Sequence, residues 1–159
     1  MKTNFLKKLS ILFITVTIVQ TTYAQTNSEE VDLFQSIFGM QKKEIVAEFL
    51  NANSDDAFWG LYDEYENKRK AMGKERLSVL IDYVENYNSL NNDKYDEVVA
   101  NMISLRKGTD KLIDQYYKKI KKASGSKRAA QFFQIENYFL SAIRTSIFEG
   151  IPYIGQFDN

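Results

Sequence analysis

Cysteine and histidine are both absent from the 159 residues, and proline and tryptophan occur once each. Without thiols the fold cannot be stapled by disulfides, and no lipid-bearing cysteine can tether the chain. Without imidazole the commonest general base near neutral pH and the commonest transition-metal ligand are missing. The two absences exclude Cys/His zinc sites, Ser-His-Asp and Cys-His machinery and redox dithiols. Carboxylates, Lys, Tyr and Ser are the remaining catalytic candidates. The expectation is a chain that is not an enzyme and uses no cofactor or metal.

What is present begins with an address. Lys2, Lys7 and Lys8 precede an apolar run from Leu9 to Val19, and Thr22-Tyr23-Ala24 ends in a small residue. A basic start, a short apolar middle and a small-residue cleavage site make the pattern of a secretory signal peptide. The run is shorter than the roughly 20 residues needed to span a bilayer. Cleavage is therefore expected between Ala24 and Gln25, giving a protein of the periplasm or the exterior with no stable membrane insertion. The 21 basic and 21 acidic residues balance in the full chain. Loss of three lysines leaves the mature form near −3, which argues against a polyanion or nucleic-acid binder by bulk charge. The roughly 135 residues that remain suit one domain with a single core.

That domain reads as all-α. Apolar residues recur every three or four positions after Ser28, and Gly is sparse. Helices are expected over about 28–51, 54–90, 92–123 and 127–149. Ser28 can cap the first, with Glu29 and Glu30 on the positive end of its dipole and Val31, Phe34, Phe38, Ile45 and Phe49 as its buried stripe. Ser54, with Asp55 and Asp56 behind it, opens the second, whose face carries Phe58, Tyr62, Tyr65, Met72, Leu80, Val84 and Tyr87 past Gly73. Asn91 and Asn92 stop it and cap the third, marked by Tyr95, Val98, Met102, Leu105, Leu112, Tyr116 and Ile120. Ser124-Gly125-Ser126 closes the third, and the fourth carries Phe132, Phe133, Ile135, Phe139, Ile143 and Ile147 up to Gly150 and Pro152. Short connections fold such helices back antiparallel, so the expected architecture is an elongated antiparallel bundle with two long central helices. A faint repeat supports a duplicated helix: Tyr62-Asp63-Glu64 returns as Tyr95-Asp96-Glu97, and Leu80-Ile81-Asp82-Tyr83 as Leu112-Ile113-Asp114-Gln115-Tyr116.

Two features could carry binding. Lys118, Lys119, Lys121, Lys122, Lys127 and Arg128 crowd one stretch with no acid among them, and Lys68, Arg69, Lys70, Lys74 and Arg76 form a second cluster. One reading is a docking surface for anionic partners; the other is a solvated corner neutralised by pairs such as Glu64 with Lys68, Glu66 with Lys70 and Asp114 with Lys118. Nine tyrosines remain after Ala24, and with Met40, Met72 and Met102 they could make an adaptable half-exposed surface or simply pack its edges. The candidate binding residues are Tyr62, Tyr65, Lys68, Arg69, Lys70, Lys118, Lys119, Lys121 and Lys122. Acid groups such as Asp63-Glu64-Glu66 and Asp93-Asp96-Glu97 sit in first helical turns, where the dipole explains them. No phosphate-binding loop or calcium-loop spacing occurs.

The run from Ser54 through Phe58-Trp59-Gly60-Leu61-Tyr62 to Glu66 resembles the small exported Spy/CpxP-type proteins, in a divergent, Bacteroidetes-like form. In that family a Leu-Thr-x-x-Gln motif caps a helix, sometimes twice. The second candidate here is Leu90-Asn91-Asn92-Asp93-Lys94, where Asn stands for Thr as cap and Lys94 replaces Gln. The likeness covers about residues 51–143. It implies an ATP-independent chaperone (holdase) or envelope-stress modulator, a cradle-shaped homodimer, and unfolded or partner envelope proteins as clients, with Lys68, Arg69, Lys70, Tyr62 and Tyr65 toward the client. Metal-sensing relatives use His and Met ligands, and His is missing here. The alternative function is a dedicated soluble partner or inhibitor of one envelope sensor protein, without catalysis.

Overall fold

The computed structural model describes residues 28–53 and 56–156, with side chains from residue 38 onward. The expected signal segment, Ser54 and Asp55 lie outside the described residues, and so do the side chains of Ser28, Val31 and Phe34 and hence the expected Ser28 cap. Among the described residues the fold is all-helical, with no strand. Helix α1 spans Ser28–Leu50 and α2 Phe58–Glu85; a short 3-10 turn at Tyr87–Ser89 follows, and α3 spans Asn92–Gly150. Residues expected to form a third and a fourth helix are thus one run, interrupted at Gly125.

Local chemistry accounts for each boundary. Asn51 takes a left-handed φ of 48° after α1. Its N–H donates to the Glu48 carbonyl at 3.3 Å and the Ala52 N–H to the Ala47 carbonyl at 3.1 Å. This pair of bonds, six-to-one and five-to-two, is a Schellman closure, and Asn is the non-glycine residue best able to enter that conformation. Helix α2 starts at Phe58, later than the expected position 54, with Ala57 at the cap and no side-chain capping bond. It runs unbroken through Gly73 and stops at Glu85, short of Leu90. The stop comes from Asn86, whose side-chain Nδ2 donates to the Asp82 carbonyl at 2.9 Å and to Asp82 Oδ1 at 3.0 Å. Such a side chain offers the backbone an alternative to another helical turn. Asn91 then caps α3: its Oδ1 accepts from the Lys94 backbone N–H at 3.0 Å.

The helices gather into two compact units. One contains α1 and residues 130–156; the other is Ala57–Ala129. In the second unit α2 and the first part of α3 form an antiparallel hairpin, as the paired contacts Lys68 with Tyr116, Arg76 with Thr109 and Asp82 with Lys94 require. At Gly108 the two helices approach closely, since an added Cβ would stand 2.7 Å from Met72 Cε. Tyr62, Tyr65, Leu105, Leu112, Tyr116 and Ile120 are buried as their spacing suggested. Met72, Leu80, Val84 and Tyr87 are only half-buried. In the first unit Ile45, Val46 and Leu50 are buried, as are Phe132, Ile135, Phe139 and Leu140, whereas Phe133, expected inside, is exposed.

Gly125 has φ 86° and ψ 168°, a combination essentially restricted to glycine. Nothing lies within 4 Å of where its Cβ would be. Gly125→Ala therefore tests backbone conformation alone: chemical denaturation should show a loss of about 1–3 kcal/mol with no steric contribution. An unchanged midpoint would mean that the break does not require glycine.

Candidate functional site

The polar and aromatic chemistry of the second unit concentrates along α2 and the facing turns of α3. Five rings make a ladder. Phe58 meets Trp59 edge-on at 5.1 Å between centroids and stacks on Tyr62 at 5.3 Å. Tyr62 meets Tyr65 at 6.1 Å, and Tyr65 meets Tyr116 edge-on at 5.6 Å. Offset and edge-on geometries are those a ring quadrupole favours. Cations flank the ladder at both ends. The Arg128 guanidinium lies 6.0 Å from the Phe58 centroid, while Lys119 and Lys68 place their ammonium groups 4.6 and 5.4 Å from Tyr116. The Glu64 carboxylate accepts from the Tyr116 hydroxyl and from Lys119, both at 3.3 Å.

Five of the nine candidate binding residues have a defined place in this arrangement. Lys68 and Lys119 share Tyr116, and Arg69 forks onto Glu66 with Nε at 2.9 and 3.0 Å from the two carboxylate oxygens. Tyr62 and Tyr65 are fully buried, which corrects the picture of a half-exposed tyrosine face. The cations lie on the neighbouring Tyr116 and Phe58 rings, and in this conformation a partner would touch the lysines and not the two phenols. Lys70 is half-buried; Lys118, Lys121 and Lys122 are exposed, and none of these four makes an ion pair among the described residues. The expected i,i+4 pairs of Glu64 with Lys68, Glu66 with Lys70 and Asp114 with Lys118 are not formed. Glu64 instead reaches across the hairpin to Lys119, and Glu66 takes Arg69.

Lys94 shows why its position need not hold Gln. A Gln at the third helical residue could accept from the cap's own N–H, whereas an ammonium only donates. Lys94 Nζ goes to Glu97 at 3.0 Å and back across the turn to Asp82 at 3.4 Å. The hydrogen bond it donates to Glu97, then the charges of Asp82 and Glu97, raise its pKa. Just before this turn the buried Tyr83 phenol is also pushed above its usual 10.0, by burial first and then by the neighbouring Tyr87 and Tyr95 phenols.

The first unit holds a feature that no helical period reveals. Lys42 Nζ and Glu136 Oε2 meet at 2.6 Å, each side chain only 1% exposed, and the ammonium lies 5.2 Å from the Phe139 ring centroid. Elsewhere in this unit Phe148, Gly150, Pro152, Tyr153 and Gln156 line a shallow hollow of about 410 Å³ in which Glu149 is the one carboxylate. A single carboxylate supplies no acid–base pair. Among the described residues no group of three or more carboxylates could hold a metal ion. No described helix is long and apolar enough to cross a membrane.

Two measurements check these assignments. Lys42→Met and Glu136→Leu should each cost about 3–5 kcal/mol by removing one partner of a buried ion pair, while the double variant recovers most of that loss; additive losses would show that the two groups act separately. Because the folded state holds the Tyr83 proton more tightly than the unfolded chain, its contribution is complete below pH 10 and lost as pH rises through the raised folded value. Absorbance titration should therefore show a late phenolic component that is reduced in Tyr83→Phe. This chain matches no protein-family model, no curated protein and no solved structure.

Proposed function

We propose that the chain is an exported, ATP-independent holdase of the Spy/CpxP kind, which covers apolar and acidic segments of unfolded envelope proteins without catalysis. In this reading the mature protein starts at Gln25 and works in the periplasm, with a fourth helical segment beginning after Gly125. The observation that carries the reading is exposed apolar surface. Phe148, Tyr153 and Ile154 are 72%, 58% and 49% exposed within seven residues of one another in sequence. Large aromatic and aliphatic side chains left in water supply binding energy to any segment that covers them. Full burial of one is worth about 1.5–3 kcal/mol, so three supply about 4.5–9 kcal/mol before the cost of association is subtracted, which leaves less than the roughly 8 kcal/mol of micromolar affinity. Weak, unselective capture suits a holdase better than a dedicated lock. On the second unit, Lys118, Lys121 and Lys122 offer uncompensated charge to acidic segments and steer encounter.

Aggregation of a heated or reduced client provides the test. Stoichiometric protein should suppress turbidity, and a Phe148→Ser, Tyr153→Ser, Ile154→Ser variant should lose at least half of the protection. Failure of the parent protein to suppress any client would sink the holdase reading. Saturable binding to one envelope protein, with none to generic unfolded chains, would establish the alternative of a dedicated partner or sensor inhibitor.

A further inference from the structure

The middle of α3 turns five lysines to solvent: Lys107, Lys111, Lys118, Lys121 and Lys122 are all exposed. None of the five makes a hydrogen bond, ion pair or ring contact among the described residues. At 100° per residue four of them fall within about 60° of one another and Lys121 about 40° beyond, so they form one straight row roughly 22 Å long. The buried residues Leu105, Leu112, Tyr116 and Ile120 stand nearly opposite, so the row faces away from the seam with α2. Asp114 and Gln115 are the other side chains on this face, which sets five positive charges against one negative. Asp110 stands at its edge and is engaged with none of the five. No apolar or aromatic side chain interrupts the row.

We infer that this row is a docking surface for an anionic bilayer, held by the phosphates of its lipid headgroups without insertion. A convex helix touches a plane along a line, and lysines set along that line bring their ammonium groups to one depth against the plane. The row has no groove or ring to fix a single extended chain, and such a chain would lose its own conformational freedom by following the ridge. A headgroup layer is flat and continuous, so it meets all five charges without being ordered along them. Because the row contains no apolar side chain, contact ends among the headgroups and does not reach the acyl boundary as an amphipathic helix does. Each lysine near an anionic leaflet is worth about fivefold in partitioning, the equivalent of about 1 kcal/mol, and the attraction decays within a Debye length. This assignment gives Lys118, Lys121 and Lys122 a different counterpart from the acidic client segments of the holdase reading, and it does not rest on that reading.

Cosedimentation of the processed protein with lipid vesicles tests it. Vesicles of phosphatidylcholine with about a third phosphatidylglycerol should bind the protein at low salt and release it at high salt, whereas pure phosphatidylcholine should not bind it. Lys111→Gln should weaken binding about fivefold, and Lys111→Gln with Lys118→Gln about 25-fold. Helical circular dichroism should stay unchanged in both, since Gln and Lys have similar helix propensity. Arg106→Gln removes the same charge about 120° away from the row and should weaken binding by less than about twofold. Absence of binding to the anionic vesicles, equal binding to pure phosphatidylcholine, or equal losses from Arg106→Gln and Lys111→Gln overturns the proposal. Capture of soluble polyglutamate or polyphosphate without vesicle binding also overturns it, in favour of an acidic chain as occupant. Client turbidity reads holdase activity in a separate assay, so failure of one reading is distinguishable from failure of the other.

Discussion

The hairpin of α2 and α3 depends on how much surface two helices can remove from water along one shared stripe. No disulfide can assist, since the chain has no cysteine. A two-helix seam offers few positions, so each must bury a large side chain, and Phe, Tyr and Trp bury about 150–250 Å² apiece. That constraint explains why Phe58, Trp59, Tyr62, Tyr65 and Tyr116 stand where a thicker core would accept Leu. It also explains the position of the charges around them. A ring face at the edge of the seam is partly wet, and an aliphatic lysine stem can cover it while the ammonium stays in water. Lys68 and Lys119 do this over Tyr116. Glu64 then gathers the Tyr116 hydroxyl and Lys119, fixing one rotamer of each across the hairpin.

In the first unit a different device operates. Apolar stripes tolerate sliding, because a Leu finds nearly equal contacts one turn away. A buried lysine does not: away from Glu136 it would hold an unpaired charge in the interior, at a cost of several kcal/mol. The Lys42–Glu136 contact at 2.6 Å, between residues 94 apart in the chain, therefore selects one register of α1 against the last part of α3. Replacing the pair by apolar residues need not weaken the unit, since both charges had to be desolvated. What such a replacement removes is the penalty on every wrong alignment.

Periodicity exposed some of this organisation and concealed the rest for definite reasons. The faces carrying Tyr62, Tyr65, Leu105, Leu112 and Tyr116 follow from spacing alone, because they repeat with the helical period. Asn91 was readable as punctuation, since Asn caps a helix through its side-chain oxygen. Gly125 was readable as an interruption, but not as one absorbed within a single residue: glycine's extra φ/ψ range lets the chain change direction without a loop. The end of α2 was misplaced because Asn86 competes for the Asp82 carbonyl, a contact that composition does not announce. Lys42 and Glu136 were invisible for a stronger reason. Each reads as a surface charge on its own helix, and only tertiary pairing turns them inward. Among the candidate site residues, the clusters could be seen in sequence, whereas Glu64's choice of Lys119 over Lys68 could not.

The charges of the second unit divide into those the fold uses and those it leaves alone. Arg69, Arg76, Lys94 and Lys119 each reach a carboxylate or hydroxyl that ties one turn or one helix to another. Lys118, Lys121 and Lys122 are exposed and reach no acid among the described residues, although three lysines within five residues repel one another. Exposed helix positions accept Glu or Gln as readily as Lys by propensity, so helix formation does not select this local positive charge. The hairpin already has its cross-links without it. A patch that the fold neither needs nor neutralises can vary without loss of structure, and its remaining physical effect is on whatever approaches from solution, which it attracts if acidic and repels if basic.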